Sequence, residues 1–136
     1  MLPALGQPEF PGPMKRFLVA DQSEIIRKVV RHYMEQLSFE VVEADCADEA
    51  LELCRNNNID ALFLDWRLPG KTPVEFLTAL RFSGENTRRP LIIYATTEND
   101  PADISRAFSA GADTYMMKPF DRTAFMETLS NAGLAA

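Results

Sequence analysis

Short apolar runs alternate along the chain with longer stretches of helical period. Residues 17–20, Phe-Leu-Val-Ala, form a compact apolar run that stops at Asp21-Gln22-Ser23. Over residues 24–37, Ile25, Ile26, Val29, Val30, Tyr33, Met34 and Leu37 recur at i, i+3, i+4 and i+7, which predicts an amphipathic helix capped by Gln22 or Ser23. Residues 39–44 alternate as a strand does. Residues 47–55 return to helical period and end in the turn signal Asn56-Asn57-Asn58. A third strand over 59–64 runs into Asp65, Leu68-Pro69-Gly70 breaks the chain, and 74–82 reads as helix. Residues 91–94 form a fourth strand, followed by Ala95-Thr96-Thr97. Asn99-Asp100-Pro101 starts a helix that ends at Gly111, with a capping side chain and a proline in the first turn. Residues 114–117 give a fifth strand and 119–132 the last helix.

Five strand–helix units predict an α/β fold, a doubly wound parallel sheet with helices on both faces. Right-handed crossovers leave few topologies. In such sheets the ligand crevice lies outside the carboxyl ends of the strands, where strand order reverses. Chemistry is therefore expected just after the strands, at Asp21 and Gln22, Asp65, Thr96 and Lys118.

Length and charge narrow the functional classes. A chain of 136 residues is one domain, and 46% hydrophobic with 25% charged residues suits a globule. The net charge of −6 disfavours a phosphate backbone as partner, and no basic run offsets it. No apolar run approaches the roughly 20 residues that cross a bilayer. Residues 1–13 hold four prolines, two glycines and one charge, Glu9, and lack the basic and apolar regions of a signal peptide. They read as a flexible, Pro-rich tail ahead of a domain over 14–134. Cys46 and Cys54 have neither zinc-site nor redox spacing, so free thiols in a reducing cytoplasm are expected.

Two carboxylates, a hydroxyl and an ammonium thus converge on one sheet edge. A lysine or a divalent cation would keep close carboxylates ionised, and hard oxygen donors suit Mg2+. A hydroxyl and a lysine facing a carboxylate can stabilise negative charge added to it, as phosphoryl transfer onto an aspartate requires. Each residue also has a plainer reading: Asp21 and Asp65 as helix caps, Thr96 as a partner for loop backbone, Tyr115 as a strand aromatic.

The motifs resemble the receiver domain of two-component response regulators, a flavodoxin-like fold with strand order 2-1-3-4-5. Phe17-Leu-Val-Ala-Asp-Gln-Ser23 is similar to the acidic first loop, and Leu62-Phe-Leu-Asp-Trp-Arg-Leu-Pro-Gly70 to the phosphoacceptor motif. Tyr94-Ala-Thr-Thr-Glu-Asn-Asp100 and Ala110-Gly-Ala-Asp-Thr-Tyr-Met-Met-Lys-Pro-Phe120 are similar to the switch motifs. Trp66 and the Thr-Thr-Glu-Asn-Asp run look closest to chemotaxis-type, stand-alone receivers of alphaproteobacteria. The resemblance implies Asp65 as phosphoacceptor, Lys118 as phosphoryl-binding residue, Thr96 as switch hydroxyl and Tyr115 as switch aromatic. It implies Mg2+ held by Asp21, Gln22, Asp65 and the backbone carbonyl of Arg67, and a cis Lys118–Pro119 bond. The implied partners are a histidine kinase or phosphotransfer protein and a protein target on the face of the fourth helix, fifth strand and fifth helix. No output domain follows the fifth helix in this sequence, so signalling is expected through protein contacts, as a motility regulator or phosphate sink. No enzymatic activity is expected beyond self-phosphorylation and autodephosphorylation.

Three departures stand out. Gln22 occupies a position where the family has a second acid, so it is a weak ligand or mere filler, and a pseudo-receiver switching without phosphate is the alternative. Thr72-Pro73 replaces Asp-Gly and stiffens its loop. Arg67 is placed to screen a phosphoryl group or to enter the site when metal is absent. A small phosphohydrolase is a rival of another class, but the sequence offers no substrate cap or general acid beside Asp65.

Overall fold

In the computed structural model, strands and helices alternate strictly: β1 (Arg16–Ala20), α1 (Glu24–Gln36), β2 (Glu40–Ala44), α2 (Ala47–Asn56), β3 (Ala61–Asp65), α3 (Pro73–Arg81), β4 (Leu91–Thr96), α4 (Pro101–Ala110), β5 (Thr114–Met117) and α5 (Arg122–Asn131). The structure describes residues 15–81, 89–97 and 99–134. The tail expected over residues 1–13 and the helix end expected at Phe82 lie outside them.

The sheet is parallel throughout, in the expected order β2-β1-β3-β4-β5. Strand alternation sorts the apolar side chains into two layers. Leu18, Ala20, Leu62, Leu64, Ile92 and Tyr94 pack on the face that meets α2, α3 and α4. Phe17, Val19, Ala61, Phe63, Ile93 and Ala95 pack with Val30, Met34, Phe125 and Leu129 of α1 and α5 on the other. All five residues of β3 are buried, as a central parallel strand covered on both sides requires. Each large side chain so buried contributes about 1.5–3 kcal/mol.

Local chemistry sets the helix starts. Ser23, one of the two expected caps, accepts from the Ile26 amide at 3.3 Å. Asp100 caps α4 with Pro101 in its first turn, and Gly111 closes the helix at φ 131°, a backbone angle that favours glycine.

Two helix starts differ from expectation. α3 begins at Pro73 because Thr72 and Glu75 form a reciprocal box: the Thr72 hydroxyl accepts from the Glu75 amide, and the Glu75 carboxylate from the Thr72 amide. α5 begins at Arg122, not at 119, because Asp121 is its cap and accepts from the Ala124 amide at 2.8 Å. Phe120, just before that cap, stacks on Phe125 with ring centroids 5.7 Å apart, a hydrophobic staple across the first turn. Lys118–Pro119 is cis.

Candidate functional site

Backbone hydrogen bonds continue past the strand ends and hold the loops there in register. The Trp66 amide donates to the Ala95 carbonyl at 2.9 Å, Lys118 to Thr96 at 2.8 Å, and Asp21 to Ala44 at 3.1 Å. Strand parity then decides which side chains meet. Asp65 emerges on the same sheet face as Phe63, the α1/α5 side, whereas Thr96 shares the α4 side with Tyr94.

Asp21, Asp65 and Lys118 come together. The Lys118 Nζ lies 2.6 Å from Asp21 Oδ2 and 3.0 Å from Asp65 Oδ1. Asp21 is fully buried and Asp65 is 2% exposed. The Arg67 amide donates to Asp65 Oδ1 at 3.1 Å and the Gln22 amide to Oδ2 at 3.3 Å. Asp21 Oδ1 accepts from the Ser23 amide at 2.8 Å, and the Asp21 carbonyl from Arg27 Nη1 at 2.8 Å. Asp65 is therefore no helix cap: its oxygens are turned to the centre of the cluster.

Charge in this cluster does not balance. Two buried carboxylates share one ammonium. Burial pushes the Asp21 carboxyl above its ordinary value; the bonds from Lys118 and the Ser23 amide pull the other way, and the Asp65 charge adds to the rise. Converging hard oxygens with an excess negative charge are the donor chemistry that Mg2+ selects. The Gln22 side chain is exposed at the rim, where an amide oxygen adds a donor but no charge.

The other expected residues are placed differently. Thr96 is fully buried at the end of β4, on the sheet face that meets α4. Tyr115 is 41% exposed on β5, edge-on to Phe108 of α4 at 6.2 Å. The Arg67 guanidinium lies over the Trp66 ring, 5.6 Å from its centroid, and the ammonium that reaches both carboxylates is that of Lys118. Stacking on Trp66 gives this planar cation a partner outside the cluster. Cys54 is buried and its thiol is pushed up to about 12 by burial, which makes it inert; Cys46 is also a free thiol. Among the described residues no helix is long and apolar enough to cross a membrane.

Sequence reasoning missed Arg27, which fixes the Asp21 carbonyl, and the bond from the Tyr94 hydroxyl to Asp103 Oδ2 of α4 at 2.8 Å. Counting back by two from Thr96 places Tyr94 on the same face and was the available signal for the second.

Residues 17–130 match the response regulator receiver domain family. The transcriptional regulatory protein SrrA of Staphylococcus aureus is 35% identical over 103 residues, 76% of this chain and 41% of the relative. This chain thus aligns with less than half the length of that curated relative. The chemotaxis response regulator CheY4 of Vibrio cholerae superposes with a TM-score of 0.80 at 28% identity, over 88% of this chain and 99% of that one. The receiver domain of the sensor histidine kinase PA1611 from Pseudomonas aeruginosa, solved with a magnesium ion in its active site cleft, shares the fold at TM-score 0.75 and 24% identity, over 89% of this chain and 99% of that one. Fold, strand order and the family match over most of the sequence agree: this chain belongs to the response regulator receiver domain family.

Proposed function

We propose that Asp65 accepts a phosphoryl group from a phosphohistidine on a histidine kinase or phosphotransfer protein, and that the resulting charge switches a protein-binding face. The supporting observation is the cluster itself: a buried carboxylate at a strand end, oriented by two backbone amides and facing a lysine and a second buried acid. An Asp65 oxygen attacks phosphorus, the P–N bond breaks, and the electron pair leaves with the imidazole nitrogen, which takes up a proton. Lys118 already lies 3.0 Å from Asp65 and neutralises charge arriving there. Asp21, Asp65, Gln22 and the Arg67 carbonyl would hold Mg2+, which when bound supplies positive charge against the phosphoryl oxygens.

Added charge at this edge biases a two-state equilibrium. Thr96 supplies the hydroxyl that reports it, and Tyr115 the aromatic that changes rotamer. The downstream target binds the face of α4, β5 and α5, where Phe108 and Tyr115 stand exposed. On this reading the protein is a cytoplasmic, CheY-like regulator of motility or a phosphate sink, and no enzyme beyond turnover of its own phosphoryl group.

Incubation with acetyl phosphate and Mg2+, followed by intact mass, tests the reading. Wild type gains one acid-stable, base-labile phosphoryl group and Asp65→Asn gains none. A second reading follows from Gln22, which leaves the cluster one acid short, and from Lys118, which already bridges both carboxylates: a pseudo-receiver that binds its partner without phosphate. Failure of wild type to form the adduct, with partner binding retained, supports that second reading.

A further inference from the structure

Three successive amides open the loop after β1, and each has its own partner. The Asp21 amide donates to the Ala44 carbonyl at 3.1 Å, the Gln22 amide to Asp65 Oδ2 at 3.3 Å, and the Ser23 amide to Asp21 Oδ1 at 2.8 Å. The Gln22 N–H and the Asp21 carbonyl belong to one peptide unit. That unit is trans, so its carbonyl points away from the side its N–H faces. Arg27 takes the carbonyl: its side chain runs back along α1, and Nη1 donates to the oxygen at 2.8 Å. The Arg27 backbone amide donates to the Ser23 carbonyl at 3.0 Å, so the same residue holds the loop at two points. The guanidinium is itself aimed, because Nε donates to Glu43 Oε1 at 3.0 Å. Glu43 stands two residues past Val41 on β2, on the sheet face that α1 covers. With the Arg27 side chain 16% exposed, water competes little for either bond.

We propose that Arg27 is a positioning residue for the phosphoacceptor: by holding the Asp21 carbonyl it turns the Asp21–Gln22 peptide so that an N–H, and not a C=O, faces Asp65. The proposal rests on the reading of Asp65 as phosphoacceptor. The two ends of a peptide unit carry opposite partial charges. With its N–H inward the unit stabilises a carboxylate; turned over, it would set a carbonyl oxygen against a cluster already rich in negative charge. Donation from a cation to the carbonyl also polarises the unit and strengthens its N–H as a donor. The amide is thus in place to meet charge gained at Asp65 without reorganising. Glu43 acts one step further back, through the guanidinium that it aims. Arg31 is the natural comparison: it pairs with the same carboxylate at 2.6 Å and with Glu35 at 3.0 Å, one turn further from the loop.

Beryllofluoride with Mg2+, a mimic of the phosphoryl group, is titrated into the whole protein and followed by the fluorescence of Trp66, the only tryptophan. Arg27→Gln is expected to weaken beryllofluoride affinity about three- to tenfold, the worth of one net hydrogen bond. Arg31→Gln, which removes an ion pair from the same acid, leaves the affinity unchanged. Glu43→Ala alone weakens it less than Arg27→Gln does, and in the Arg27→Gln background it costs nothing further. Amide proton–nitrogen correlation spectra supply the signature. The Gln22 amide proton moves upfield in Arg27→Gln as its bond to Asp65 loosens and stays in place in Arg31→Gln, while the remaining resonances report that each variant is folded. Wild-type affinity in both Arg27→Gln and Glu43→Ala, an equal loss in Arg31→Gln, or a Gln22 resonance that does not move overturns the proposal and leaves the acceptor reading intact. A wild type that gives no response to beryllofluoride overturns the acceptor reading, and this proposal with it.

Discussion

Two charge clusters lie side by side at the first strand, and they are built on opposite principles. In one, Asp21 and Asp65 share Lys118, all three largely or fully withdrawn from water. In the other, Glu43 of β2 accepts from Arg27 at 3.0 Å and from Arg31 at 2.6 Å, and Arg31 also reaches Glu35 at 3.0 Å, with side chains 16–52% exposed. Burial acts on both acids and wins only at Asp21. At Glu43 burial pushes the carboxyl up, but the bonds from Arg31 and Arg27 outweigh it and hold the group below its ordinary value. Arg27 joins the two, donating to the Asp21 carbonyl as well as to Glu43. The second cluster is a brace with its charges matched. The first keeps negative charge in excess, which weakens the resting protein and makes the place receptive to a cation.

That contrast can be broken most forcefully at Lys118. Lys118→Met leaves two buried carboxylates facing each other without a counter-charge, and urea unfolding at pH 7 is expected to record a loss of about 3 kcal/mol. The sign with pH is diagnostic. Asp21 already has a raised pKa in the fold, so the folded state binds more protons than the unfolded one as pH falls through that value, and stability recovers. The loss in Lys118→Met therefore shrinks as pH falls from 7 toward 5. A loss independent of pH would mean that packing of the lysine stem, and not charge, holds the cluster.

Glu43→Gln is the smaller counterpart. It removes the shared acceptor of two guanidiniums that are partly in water, and a loss of about 1 kcal/mol is expected at neutral pH. Here the folded pKa lies below the ordinary value of 4.5, so the wild-type contribution is present above that pH and is lost as pH falls through the depressed value. Both losses therefore shrink in acid, but for opposite reasons: at Glu43 the wild type gives up its stabilisation, whereas at Lys118 the variant recovers. Salt sharpens the contrast further, since the half-exposed brace is screened and the buried triad much less.

How far the sequence carries this picture depends on whether a signal is local. The strands and their order were legible because apolar runs stop at polar residues that share one sheet edge. The triad was legible for the same reason, since Asp21, Asp65 and Lys118 each stand at or just past a strand end. Helix starts were less so: Thr72 with Glu75, and Asp121 with Phe120, act through side chains that periodicity ignores. Thr96 was grouped with the triad by its place after β4, yet its parity turns it to the other face. The bond from Tyr94 to Asp103 joins residues nine apart that only the packing of α4 on the sheet brings together. Arg67 shows the limit plainly, because a long cation beside an aromatic has two partners to choose from and the sequence does not rank them.

Magnesium dependence of stability tests the central claim most directly, that the Asp21–Asp65–Lys118 cluster is a cation and phosphoryl site held with charge in excess. Urea unfolding of the whole protein is followed at pH 7 with and without MgCl2. Wild type is expected to gain about 1.4 kcal/mol when Mg2+ stands at ten times its dissociation constant. Asp65→Asn, which cancels the excess charge, is expected to gain almost nothing. Equal midpoints for wild type with and without Mg2+, up to tens of millimolar, would contradict the account.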